Sequence, residues 1–106
     1  MTKESKELLI ADLSARLPYG VKCYVDFYKP LELVGVTLED DGEWYAMFGF
    51  TEFRIDLWEP KPYLKPMSSL SNGQMKDINW CYKNHYDCNG LIDKGLALPA
   101  EDGMYN

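Results

Sequence analysis

The chain reads as an α+β domain. A helical period of apolar residues opens it, a two-residue alternation fills its middle, and a second helical stripe follows a proline-rich break.

From about Thr2 to Leu17 the apolar positions Leu9, Ile10, Leu13 and Leu17 share one helical face, while Asp12, Ser14 and Arg16 fall on the remainder. Pro18 disfavours helical geometry at Leu17, and Tyr19-Gly20 supplies the turn that ends this N-terminal helix.

The period then changes to two. In Val21 to Tyr28 the residues Val21, Cys23, Val25 and Phe27 alternate with Lys22, Tyr24, Asp26 and Tyr28, as expected of a strand with one buried face. Leu31 to Glu39 resumes the alternation after Lys29-Pro30, and Asp40-Asp41-Gly42 marks a tight hairpin. Glu43 to Phe50 follows, and Thr51-Glu52 leads to a last run over Phe53, Ile55 and Leu57. The expected result is a four-stranded antiparallel meander, curved like an SH3 sheet or closed as a small barrel.

Pro60, Pro62 and Pro66 lack the amide that a central strand must donate, so Glu59 to Met67 is expected as an extended crossover along an edge. Ser71 and Gln74 have capping-box spacing, and Met75, Ile78, Tyr82 and His85 trace a stripe, which predicts a C-terminal helix over Asn72 to Asn84. Beyond it, Leu91 to Lys94 is long enough for one helical turn. Leu96 to Leu98 is expected as a short strand or packed tail, and Glu101 to Asn106 as a frayed end.

A length of 106 residues fits a single domain, 1–106, and the ordinary balance of apolar and charged residues predicts a folded chain. Seventeen acidic against eleven basic residues give a net charge of −6, which repels nucleic-acid backbones, so generic nucleic-acid binding is not expected. The apolar run Leu8 to Ala11 is cut by Asp12 and is too short for a signal core or a membrane span, so a cytoplasmic chain without membrane association is expected. Cys23, Cys81 and Cys88 are an odd number without secretory context, which favours reduced thiols.

Three segments, Leu17-Pro18-Tyr19-Gly20-Val21-Lys22, Pro62 to Ser69 and Gly90 to Leu98, resemble short uncharacterised proteins of gut Bacteroides species and their prophages. The resemblance implies an origin in a bacterial genome or mobile element. It implies no activity, and no functional residue is carried over.

Two groups of residues stand out as candidates. Cys81, His85 and Cys88 combine soft and imidazole donors close in sequence. A closed zinc site needs a fourth ligand, from Cys23, Asp87 or Asp93, and a thiol nucleophile needs His85 as its base. The structural alternative has Cys81 packed, His85 ending the helix and Cys88 in the following loop. The carboxylates Glu39, Asp40, Asp41 and Glu43 lack the spacing of a calcium loop and read as a solvated turn. No phosphate loop, dinucleotide fingerprint or nucleophile elbow occurs, so no cofactor is expected.

The second group is the other face of the sheet. Tyr24, Tyr28, Tyr45, Met47 and Trp58 belong to residue types enriched at interface cores, and they form the candidate interaction surface. Two amphipathic helices also need an apolar sheet face, so burial of these rings beneath a helix is the expected alternative. The functional expectation is a small interaction module with a protein partner or self-association. The alternatives are an acidic inhibitor mimicking nucleic acid and a metal or thiol protein built on Cys81, His85 and Cys88.

Overall fold

The computed structural model describes residues 1–70 and 77–105. It bears out the α+β class, with helix α1 over Lys3–Arg16, a short helical turn α2 over Ile55–Trp58 and helix α3 over Ile78–Lys83. The strands are β1 (Lys22–Tyr24), β2 (Leu31–Glu32), β3 (Gly35–Leu38), β4 (Trp44–Phe48), β5 (Thr51–Arg54), β6 (Lys61–Leu64) and β7 (Leu98–Pro99).

Helix α1 begins where Thr2 Oγ1 accepts the Ser5 amide at 3.0 Å, one of the orphan donors of the first turn. Glu4 in the first turn and Arg16 in the last both suit the helix dipole. Leu17 to Tyr19 tighten into a 3₁₀ turn, and Gly20 at φ 68° releases the chain. Leu9 and Leu13 are fully buried, each worth on the order of 2 kcal/mol of burial. Asp12 and Arg16, assigned to the outer face by periodicity, lie on this buried face too. They are paired with each other, which is what permits it.

The meander is corrected in detail. Four strands form a mixed sheet in the order β2-β1-β6-β7, and three form an antiparallel sheet in the order β3-β4-β5. The expected strand over 31–39 breaks at Leu33 and Val34, where the chain changes sheets. The Leu33 amide donates to Val21 of one sheet and the Val34 amide to Met47 of the other. Neither sheet closes among the described residues, so the barrel form is not realised. The Asp40-Asp41-Gly42 hairpin is borne out, with the Glu39 amide donating to the Glu43 carbonyl and Gly42 at φ 81°.

Two strand boundaries move. The first strand stops at Tyr24, because Asp26 and Phe27 turn left-handed, closed by the Tyr28 amide on the Val25 carbonyl at 3.0 Å. The third strand stops at Phe48. Gly49, at φ 61°, and Phe50 make the hairpin turn. Thr51 and Glu52, expected to lead into the last run, are already part of β5, and after Arg54 the chain coils into α2 instead of continuing extended.

Contrary to the edge crossover expected, β6 is an inner strand that includes Pro62. Its two ladders are staggered: β1 pairs with Lys61 and Pro62, and β7 runs parallel to Tyr63 and Leu64. Pro62 thus has a ladder neighbour on one side only, which removes the objection to proline there.

Helix α3 begins at Asp77, whose side chain accepts the Trp80 amide at 2.7 Å. The expected capping box of Ser71 and Gln74, and Met75, lie outside the described residues. In the expected stripe, Ile78 is exposed, Tyr82 is half-buried and Cys81 is the buried residue. His85 lies past the helix at φ 64°, with the Tyr86 amide on the Cys81 carbonyl and the His85 amide on the Tyr82 carbonyl, a Schellman closure. The tail does not fray through Tyr105: its hydroxyl accepts the Lys22 amide at 2.8 Å and donates to the Tyr63 carbonyl at 2.7 Å.

One core cluster joins these parts, taking Leu9 and Leu13 from α1, Val21, Cys23 and Val25 around β1, and Ala46, Phe48 and Phe53 from the three-stranded sheet. Helix α1 packs against β3, α2 and α3. No described helix is long and apolar enough to cross a membrane.

Candidate interaction surface

The alternation of β4 turns Trp44, Ala46 and Phe48 inward and Tyr45 and Met47 outward. Phe53 stands opposite Ala46 on the inner side and is nearly buried. Other rings gather around it at the rim. Trp58 from α2 meets Phe53 at 5.3 Å and 62°, Tyr28 meets it at 6.1 Å and 54°, and Phe48 at 6.1 Å and 57°. Phe50, at the hairpin tip, leans on Tyr28 at 5.8 Å and 60°. These tilted contacts suit the ring quadrupoles and anchor the cluster to the core through Phe53.

The outer rings of this cluster, Tyr28, Phe50 and Trp58, and their chain neighbours Phe27 and Leu57 face solvent. Phe27 is 89% exposed, Phe50 65%, Leu57 65%, Tyr28 46% and Trp58 45%. Among the described residues the expected cover by a helix is not present. α1 packs against β3, α2 and α3, and the Tyr28, Met47 and Trp58 side chains are exposed.

Of the five residues singled out by sequence, Tyr28 and Trp58 are brought together through Phe53. Met47 lies over Gly35, where a Cβ would meet its sulfur at 3.0 Å, and lines a groove with Val34, Phe50 and Glu52. Tyr24 packs edge-on against Phe27 at 6.3 Å and 80°. Tyr45 makes no ring contact with the cluster. Its hydroxyl donates to the Asp41 carboxylate at 2.7 Å, which pushes Tyr45 up to about 12 and holds Asp41 below its ordinary value.

Sequence reasoning missed Phe27, Phe50 and Leu57, because each was read as continuing a strand on its inward face. The signals were local. Gly49 before Phe50 permits a hairpin, and Lys29-Pro30 after Tyr28 limits how far the first strand can run.

The other candidate group is brought together only in part: the Cys81 and Cys88 thiols lie within hydrogen-bonding reach of each other, while His85 is held by a different neighbour. The His85 ring stacks on Tyr105 at 3.8 Å and 11°, and burial, with Lys65, Arg16 and Lys22 nearby, lowers its pKa to about 4. Cys81 is buried, its thiol donates to the Tyr86 carbonyl at 3.5 Å, and burial pushes it up to about 12. Cys88 accepts from Arg16 Nη2 at 3.6 Å. Asp87 accepts the Leu91 amide at 2.7 Å and the Ile92 amide at 3.0 Å, which organises the loop after α3. Among the described residues no group of three or more potential ligands is placed to hold a metal ion, and no hydrogen bond joins His85 to either thiol.

What this region builds instead is a buried polar node. Arg16 Nε donates to Asp12 at 2.6 Å and Nη2 to the Tyr86 carbonyl at 2.6 Å, while the guanidinium lies 5.0 Å from the Tyr82 ring centre. Asn89 Nδ2 donates to Asp12 at 2.8 Å, tying the following loop to α1. Burial opposes the Arg16 charge, and the hydrogen-bonded Asp12 carboxylate outweighs it, so the guanidinium is held above its ordinary value.

Comparison of the chain with protein-family models, with curated proteins and with solved structures gives no match.

Proposed function

We propose that this chain is a small non-enzymatic protein-interaction module of a bacterial or prophage genome, acting in the cytoplasm. It binds a protein partner through the aromatic face of Tyr28, Phe50, Leu57 and Trp58, with Phe27 beside it. The observation that carries this reading is the solvent exposure of Tyr28, Phe50 and Trp58 on a cluster pinned to the core through Phe53, with exposed Phe27 and Leu57 next to them in the chain. Leaving such area wet forgoes burial energy, and contiguous exposed apolar surface marks interaction sites.

The backbone at Phe27 supports the same reading. Asp26 and Phe27 both adopt left-handed conformations, at φ 45° and 63°, which cost side chains with a Cβ on the order of 1–2 kcal/mol each. The turn holds Phe27 out in solvent at that cost.

A Cys81 nucleophile gains no such support, since a thiol pushed up to about 12 is protonated at neutral pH, and no hydrogen bond joins Cys88 to His85. Acidic mimicry gains little. Of the hairpin carboxylates, Glu43 faces Arg54 at 3.4 Å and Lys6 at 3.9 Å, and Asp41 is held by Tyr45 and by the Glu43 amide.

The test is affinity capture from a lysate of the source cell, run in parallel with the wild-type chain and with a Phe50→Ser, Trp58→Ser double variant. A protein retained by the wild type and lost from the variant supports the module. Identical captured sets, with both chains folded, contradict it.

A further inference from the structure

Beside the aromatic cluster lies an open groove of about 290 Å³, walled by Val34, Met47, Phe50 and Thr51 with Glu52 at its side. Val34, Met47, Phe50 and Glu52 are all exposed. Apolar walls next to the Glu52 carboxylate, which neighbours that of Glu39, match the two parts of an arginine or lysine side chain, an aliphatic stem and a cationic head. Phe50 is both a wall of the groove and the ring that touches Tyr28, so an occupant leaving the groove runs straight onto the rings.

The charges around this face have one predominant sign. Exposed Asp26 and Glu59 adjoin Phe27 and Trp58 in the chain, and among the described residues the exposed cation next to these rings in the chain is Lys29. Arg54 is occupied, with Nε 2.6 Å and Nη2 2.9 Å from the two oxygens of Asp56. A second copy of the chain, with net charge −6 and the same acidic rim, is repelled from this face, whereas a cationic segment is drawn to it. Ring centres 5.3–6.1 Å apart are in contact with one another, so the rings form a platform and leave no gap for a cation between them.

Building on the interaction reading above, we propose that the face recognises a basic, apolar segment of a partner protein. An arginine or lysine side chain lies along the Val34–Met47–Phe50 groove with its charge on Glu52, and a neighbouring apolar side chain rests on Tyr28 and Trp58. Glu52 sets the chemical class of the partner, and the rings supply the buried area.

A random peptide library displayed on phage, selected against the immobilised 106-residue chain at physiological salt, tests this. Recovered peptides are titrated against the wild type, Glu52→Gln, Phe50→Ser and, as a remote charge control, Glu4→Gln. The expected peptides carry arginine or lysine next to aromatic or aliphatic residues. Their affinity falls about tenfold, equivalent to about 1.4 kcal/mol, with Glu52→Gln, is lost with Phe50→Ser and is unchanged with Glu4→Gln. Peptides that need Phe50 yet lack basic residues and ignore Glu52→Gln overturn the cationic partner while leaving the interaction surface standing. Peptides indifferent to Phe50→Ser, or no recovered peptides, overturn both. Phe50 is exposed, and a far-UV spectrum and melting curve of each variant confirm that the fold is retained.

Discussion

The imidazole of His85 stacks on the phenol of Tyr105 with ring centres 3.8 Å apart and planes 11° from parallel. The Tyr105 hydroxyl at the same time bridges Lys22 of β1 and Tyr63 of β6, so a single residue near the end of the chain locks the tail to two strands and to the loop after α3. The lone histidine serves this contact, and its lowered pKa is a consequence of the burial.

This contact makes stability depend on pH. The folded chain holds His85 near 4, and the unfolded chain returns it to about 6.5, so between these values the unfolded state binds the extra proton. Stability is therefore full above pH 6.5, falls as the pH is lowered towards 4, and loses on the order of 2–3 kcal/mol from this group. Denaturant melts across the window measure it. In His85→Asn, which tolerates the left-handed backbone and removes the titrating group, the slope between these pH values flattens.

The Asp12–Arg16 pair is the second sensitive point. Asp12→Ala leaves the fully buried Arg16 guanidinium without its carboxylate and takes away one of the two acceptors of Asn89, and is expected to destabilise by about 3–5 kcal/mol. Replacing both residues with apolar ones, Asp12→Leu with Arg16→Met, is expected to recover most of that loss. Equal destabilisation by the single and double variants in urea titrations would show that the pair is not the cause.

The thiols give a third prediction. Cys23 and Cys81 are buried with raised pKa values, whereas Cys88 is half-buried, so iodoacetamide at neutral pH modifies Cys88 first. Cys23 and Cys81 react only after denaturant is added. Rapid native-state labelling of Cys81 that disappears in His85→Asn would restore the nucleophile reading.

Much of this fold was legible because its signals are local. The first helix, its termination at Pro18-Tyr19-Gly20 and the hairpin at Asp40-Asp41-Gly42 each rest on a few adjacent residues. Pairing was not legible. Alternation gives the face a residue turns to, and it does not say that Leu33 and Val34 change sheets or that Pro62 enters an inner strand between β1 and β7. Burial of Asp12 and Arg16 was hidden for a similar reason, since their partners Tyr86 and Asn89 come from the far end of the chain. At the candidate surface, Tyr28 and Trp58 were found by residue type. Phe27 and Phe50 were misplaced, because an aromatic residue in phase with a strand looks buried until the turn beside it is known.

The central claim is that the aromatic face is kept exposed for binding at a cost in stability, and Phe27→Gly tests it most directly. Glycine relieves the left-handed backbone at φ 63°, and the side chain it removes is 89% exposed. The expected melting temperature is a few degrees higher, from a gain of roughly 1 kcal/mol, together with weaker binding of the partner or peptides that the wild type selects. A variant that is less stable and binds as tightly as the wild type would contradict it.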